Sequence, residues 1–470
     1  MAFGISDDTL HDVEPKGRSA MPIALPIGIL AGTVFTLVDP IYVLVALALL
    51  LLTALLLSVP ESGALLLFVL LPLSGFFPHG MQLFLFLFFL LFVGYLIKWI
   101  CGNRTFKLEA QDFPVLLLLT LFFFSALSAA GAEARASAWL SVVALIAYFL
   151  MVNMLATPGW LLRSRVALAV SGTISALIGI VQFITTAVGA PVGTTLEMLG
   201  ASVKAGFADS VSLVWFLTIA FAFLFPALWE LPKKPRLFGI GACILMLIAT
   251  VLTRVPCAPV AIGLVMLLFA LLHDHRALPI TLLGGGFLTA LVKILPPAVS
   301  ERFIEVLRAS DSFAEQRRNT ARVLARIFFG DGNGAFDGAH GLRRFLFGLG
   351  RGGMDLVYPA FTDTGTAFEP ALCNFFTGFV AEFGVVGLIV PLLLFFLVLQ
   401  NCFTALAEAH ARDVRQPAVA LTGICLTGAA ILFACFHYTW ANPIALGLAA
   451  EAACSYDEKV SHWISLLVLG

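Results

Sequence analysis

The chain has 470 residues, of which 60% are apolar and only 12% are charged, about half the charge of an ordinary globular surface. Folded in water, it would expose more apolar area than solubility allows. Its 27 Lys+Arg nearly balance 28 Asp+Glu, so no global basic field points to nucleic acid as a partner.

Apolar runs of roughly 17–25 residues recur throughout, each long enough to cross ~30 Å of hydrocarbon. They are continuous rather than alternating, which excludes a β-barrel. The expected fold class is an all-α polytopic membrane protein of about 12–14 transmembrane helices with one large loop.

In chain order, a polar N-terminal tail occupies residues 1–20, with no sign of a cleavable leader. Spans follow near 21–38, 41–59, 61–76, 81–97, 113–130 and 137–155, then near 166–188, 207–229, 237–253, 255–272 and 277–294. Together they make a membrane segment over 21–294. The pair flanking Pro60 and Glu61 is short enough to be re-entrant. A more polar stretch fills 295–373. Spans near 374–399, 418–438 and 440–454 then form a C-terminal membrane segment over 374–454, followed by a tail, 455–470. The eight cysteines fall mostly inside apolar runs with no CxxC or Cys/His cluster. They read as small buried hydrophobes rather than metal ligands.

Lys and Arg set the orientation. With the N-terminus inside, alternation gives the inside loops Lys98, Arg104, Lys107, Arg163, Arg165, Lys233, Lys234, Arg236, Arg276, Arg412 and Arg415. The short outside loops receive only Arg135, Lys204, Arg254 and Lys293. Residues 295–373 then lie outside. A loop this long is usually functional or disordered, and its composition argues for order. Phe303, Val306, Leu307 and Phe313 recur at near-helical spacing, as do Val323, Leu324, Ile327 and Phe328. Helices with such a stripe lie on a membrane or cap a cavity in it.

The loop holds nine arginines and no lysine, a bias that favours planar, bidentate recognition of phosphate or carboxylate. Binding of lipid headgroups by an interfacial helix explains the same bias. At ~100° per residue, Arg318, Arg322 and Arg326 share one helix face, while Arg317 falls beside Leu324 and Phe328. A buried-side arginine needs an anionic partner, which singles out Arg317. Arg254, in the Pro-broken hairpin LTRVPCAP (252–259), is a second outer cation, and snorkelling explains it equally well.

Gly348, Gly350 and Gly353 spell GxGxxG, but no strand or βαβ unit surrounds them, so the nucleotide reading is dismissed in favour of a flexible turn at a helix end. The sequon at Asn103-Arg104-Thr105 falls in an inside loop and carries no weight. Asn153 and Gln182 are the main polar side chains at depth, and interhelical hydrogen bonds account for them. The scarcity of carboxylates and histidines in the spans lowers an ion-coupled transporter reading.

The ordered motifs from 302 to 388 resemble the O-antigen ligase and O-antigen polymerase superfamily, membrane glycosyltransferases of the GT-C type. The motifs are DSFAEQR (311–317), then FGLGRGGMDLVYPAF (347–361), then ALCNFFTGFVAEFGVVGL (371–388) with Asn374, Glu382 and Gly384. Upstream, ALIGIVQF (176–183) and LTRVP are similar to two further family segments. The chain departs from the pattern at Cys373, which replaces a histidine, and at Val255-Pro256, which replace Ser-Arg. It departs again at GFADSVS (206–212), where an Asn-Pro-Asn turn is usual. The tryptophan usual after the loop arginine is missing.

The resemblance implies glycan transfer, or polymerisation, from an undecaprenyl-diphosphate carrier on the outer face of a bacterial inner membrane. The implied partners are the lipid-linked glycan, a glycan or lipid acceptor and membrane lipids. No cofactor or metal is implied. By the same resemblance Arg317, Arg254, Lys204 and Arg318 would hold the diphosphate, and Arg317, Glu382 and Cys373 would occupy the catalytic positions. Two other classes stay open, a lipid-linked oligosaccharide flippase or exporter and an inactive scaffold relative.

Overall fold

The computed structural model describes residues 51–76, 80–102, 112–129, 131–154, 158–189, 202–272 apart from 208, 230 and 256, then 279, 315, 317–330, 338–362, 368, 373–411 and 418–436. Of these, 89% are helical and none is in a strand. The runs at 21–38, 277–294 and 440–454, both tails and the loop's first helix around 303–313 lie outside the described residues.

Two short helices open the described chain, α1 (Leu51–Ser58) and α2 (Pro60–Leu70), bent by 119° at their junction. A bend above a right angle sends the second helix back toward the side the first came from, in keeping with the short pair at Pro60-Glu61. Glu61 is buried at the start of α2. Lys98 stands 3.7 Å away, at the end of α3 (Gly80–Ile100).

Next come α4 (Phe113–Ser128), α5 (Ala132–Met154), α6 (Pro158–Gly189) and α7 (Ser210–Ala227). They are followed by α8 (Lys233–Leu252) and α9 (Cys257–Leu272). After the long loop, α13 (Phe375–Ala411) and α14 (Ala418–Phe436) return to the membrane segment.

Five helices are long and apolar enough to cross a membrane, and four shorter apolar helices accompany them among the described residues. Their outward faces carry Phe86, Phe89, Phe124, Phe238 and Phe396, all more than half exposed. In water such a surface would be untenable; against acyl chains it costs nothing. The protein is an all-α membrane protein.

The pillar of the bundle is α7. It is apolar on all sides, as a fully buried helix must be, and α6, α8, α9 and α14 pack around it. Its start is fixed by Asp209, whose Oδ1 accepts the Ser212 N–H at 2.6 Å, an N-cap of the usual kind. A second layer, α4 and α5, packs through α4 against the first part of α13.

The loop folds into helices where it is described. Helices α10 (317–329), α11 (Gly338–Phe347) and α12 (Gly353–Phe361) share a small core of their own. It comprises Leu324, Ile327, Phe328, Met354 and Tyr358, together with Cys373 and Ala381 from the entry of α13. The apolar stripe of α10 is buried, with Leu324 and Phe328 each 5% exposed, while Arg318 and Arg322 are exposed and Arg326 is half-buried. The exposed Arg318 and Arg322 match the face expected from the spacing, whereas Arg326, expected on the same face, is half-buried.

Candidate functional site

The loop meets the membrane helices at two places, each built around an arginine. The first is a cavity of about 210 Å³ where α10 faces the start of α13, lined by Arg317, Arg318, Thr320, Cys373, Asn374 and Thr377. Asn374 is the N-cap of α13. Its Oδ1 accepts the Thr377 N–H and the Thr377 hydroxyl, each at 2.8 Å. That cap keeps the first turn of α13 intact, so the positive end of its backbone dipole opens on the cavity.

Arg317 is half-buried, and burial pulls its guanidinium below its ordinary pKa. It stands in electrostatic reach of the Cys257 and Cys373 side chains. Cys373 itself is buried, and desolvation pushes its thiol up to about 11. At neutral pH it is a neutral thiol. No carboxylate lines the cavity among the described residues.

The second place is the glycine-rich turn between α11 and α12. Arg351 is only 4% exposed. Its guanidinium donates to Ser137 Oγ at 2.9 Å and Ser141 Oγ at 3.2 Å, and Nε lies 3.9 Å from Glu382 Oε2. Its planar head also sits 5.7 Å from the centre of the Phe122 ring. Ser137 and Ser141 are four residues apart, one above the other on α5. One arginine therefore ties this turn to α4, α5 and α13.

The backbone completes this clamp. Gly384 has φ 73° and ψ 178°, a conformation open essentially to glycine alone, and it breaks the hydrogen-bond ladder of α13. The carbonyls of Ala381 and Glu382, which would serve the next turn of a straight helix, accept instead from Leu349 N and Gly350 N, each at 2.9 Å. Chain approach at this junction leaves no room for a Cβ. One added at Gly348 would collide with Glu382 O, and one at Gly384 with Leu346 O. The GxGxxG stretch thus has a structural use as the cap of a broken membrane helix.

The other residues read from sequence fall as follows. Arg317, Arg318 and Cys373 are brought together in the cavity. Glu382 lies two turns further along α13 and is engaged by Arg351, though it remains in electrostatic reach of Cys373. Arg254 ends α8 in the left-handed region, φ 61°, three residues before Cys257, which is in electrostatic reach of Arg317. The α8–α9 hairpin thus approaches the cavity, while Arg254 is not among its lining residues.

Lys204 is exposed on a turn that Gln182 holds, Oε1 accepting from Lys204 N at 3.1 Å and Ala205 N at 2.8 Å. It does not line the cavity either. Gln182 therefore serves a turn rather than a neighbouring helix, and Asn153 Nδ2 bonds back to Phe149 O on its own helix at 2.9 Å.

Sequence reading missed Arg351, Ser137 and Ser141. A usable signal was present in Arg351 itself, a cation flanked by glycines that bring its backbone close to a helix. Among known proteins, no family model and no curated protein matches the chain.

Proposed function

We propose that the chain is a membrane glycosyltransferase of cell-surface polysaccharide assembly. It would bind an undecaprenyl-diphosphate-linked glycan on the extracytoplasmic face of a bacterial inner membrane, in the manner of the O-antigen ligase and polymerase superfamily. The observation that carries the reading is the cavity at the head of α13. Two arginines and a helix N-terminus converge on it, and no carboxylate lines it among the described residues. Such a site suits a diphosphate.

In the transfer, an acceptor hydroxyl oxygen attacks the anomeric carbon. The bond from that carbon to the diphosphate oxygen breaks, and its electron pair leaves on the diphosphate. Arg317 and Arg318 would stabilise the charge that develops there. The hydroxyl proton needs a base. Cys373, with its thiol pushed up to about 11, is a poor one at neutral pH, and Glu382, in electrostatic reach of Cys373, is held by Arg351.

The same pair of facts favours a second reading, a relative that holds the carrier without turnover. One experiment separates the two. Purified protein is given an undecaprenyl-diphosphate-linked glycan and candidate acceptors, and both carrier binding and glycan transfer are followed. Transfer by the parent supports the enzyme. Binding without transfer, with transfer restored in Cys373→His, supports the inactive relative. Absence of carrier binding rejects both.

A further inference from the structure

Far from the arginine cavity, at the end of the bundle where α7 turns into α8, a second cavity of about 190 Å³ lies between α7, α8 and α9. Its walls are apolar: Phe221 and Phe225 from α7, Ile240, Ile244 and Leu247 from α8, and Met266 from α9. Ile240 and Ile244 are exposed, 39% and 52%, so the groove opens sideways, toward the acyl region rather than into the protein.

Its mouth is different in kind. Trp229 and Arg236 close it, with the guanidinium stacked 5.5 Å above the indole ring, and Lys233 and Lys234 stand exposed on the same first turn of α8. Tryptophan and basic residues at one depth mark a membrane–water interface. From Arg236 to Leu247 the helix rises about 16 Å, and one leaflet of hydrocarbon is about 15 Å deep.

We infer that this groove is a binding site for an anionic phospholipid, one acyl chain lying along α8 and the phosphate held at Arg236, Lys233 and Lys234. The charge of the mouth selects the headgroup, and the length of the groove suits a chain of one leaflet. Stacking on Trp229 orients the Arg236 fork before a lipid arrives, so less side-chain entropy is lost on binding. The ligand would be a structural or regulatory lipid. Its site is distinct from the outer cavity, and the inference stands whether or not that cavity transfers glycans.

The test uses the full chain in phosphatidylcholine nanodiscs containing acyl-brominated phosphatidylglycerol or acyl-brominated phosphatidylcholine. Bromine quenches nearby indole, and the Trp229 contribution is the difference between the parent and Trp229→Phe. Quenching of that component should need on the order of 100-fold less phosphatidylglycerol than phosphatidylcholine, about five-fold for each of three basic residues. Each cation neutralised, Lys233→Gln, Lys234→Gln or Arg236→Gln, should weaken the preference by about five-fold, the equivalent of about 1 kcal/mol per basic residue. Lys233→Arg with Lys234→Arg should keep it, which controls for misfolding.

Equal quenching by the two lipids in the parent would overturn the site and leave an ordinary lipid annulus. So would a preference that survives all three neutralisations. Binding of inorganic phosphate at the mouth without any preference for phosphatidylglycerol in the quenching would show a free-anion site and reject the lipid.

Discussion

Arg317 and Arg351 belong to the same loop between the membrane helices, yet their surroundings differ. Arg351 is buried, bridges two serines, a carboxylate and an aromatic ring, and joins three membrane helices to one turn. Arg317 is half-buried at the wall of a cavity with a second arginine beside it and no lining carboxylate among the described residues. An arginine that ties several helices to one turn is a fastener. One that faces a cavity beside a helix N-terminus is suited to an anion from outside. Residue type and loop membership do not separate the two; the groups around each guanidinium do.

The sharpest way to break this comparison is to remove the fastener. Arg351→Ala removes a cationic partner of Glu382 and the donor shared by two serine hydroxyls. Losing one side of a buried pair costs about 3–5 kcal/mol, and the partial exposure of Glu382 puts the expected loss near the lower end. Thermal unfolding of the purified protein in detergent should show a large drop for Arg351→Ala and little change for Arg317→Ala. Equal stability of the two variants would erase the distinction.

The backbone half of the clamp gives the next effect. Gly384→Ala places a Cβ against Leu346 O in a φ/ψ region that only glycine enters freely. The expected cost is about 1–3 kcal/mol from the conformation, with the collision added. Because it separates α11 from α13, the cavity should loosen too. Hydrogen exchange should speed up at Leu349 and Gly350, whose N–H groups cap the broken helix. Unchanged protection there would show that the cap is not what holds the turn.

On the cavity side, Arg317→Ala should weaken binding of undecaprenyl diphosphate by about 1.5–3 kcal/mol, roughly 10- to 100-fold. If Arg317 grips the phosphate with its fork, Arg317→Lys should lose nearly as much, since a point charge cannot replace a planar pair of donors. Calorimetric titration with the lipid diphosphate reads both. Parent-like affinity in Arg317→Ala would remove the residue from the site.

The two regions also differ in how far they were legible beforehand. Helix α10 follows from spacing alone. A stripe at Val323, Leu324, Ile327 and Phe328 needs a covering partner, and the 100° step then puts Arg318 and Arg322 outside and Arg317 on the buried side. Local periodicity carries that whole inference. The clamp is not local. Ser141 lies 210 positions from Arg351, and the glycines at 348 and 384 matter because two distant backbones touch. From sequence they read as a loose turn and a span residue, with no pattern to say that one caps the other. The same limit applies to Glu382, whose likeness to a family position says nothing of the arginine that engages it.

The smallest expected effect concerns Arg254, which stands between the two cases. It closes α8 with φ 61°, the position where helices usually place glycine. For an L-residue with a Cβ the left-handed region costs roughly 1–2 kcal/mol. Arg254→Gly removes that strain but frees the unfolded chain, which takes back about 0.4–1 kcal/mol, so a net gain of about 0.5–1 kcal/mol is expected in thermal unfolding. A cation kept at a strained position invites a functional explanation, and its hairpin approaches Arg317 through Cys257. Arg254→Asn separates backbone from charge, because asparagine tolerates the left-handed region better than most residues. If Arg254 helps hold the diphosphate, both variants should be at least as stable as the parent yet bind the lipid diphosphate more weakly. Improved stability with unchanged binding would make Arg254 a helix end of the interface and leave the cavity to Arg317 and Arg318.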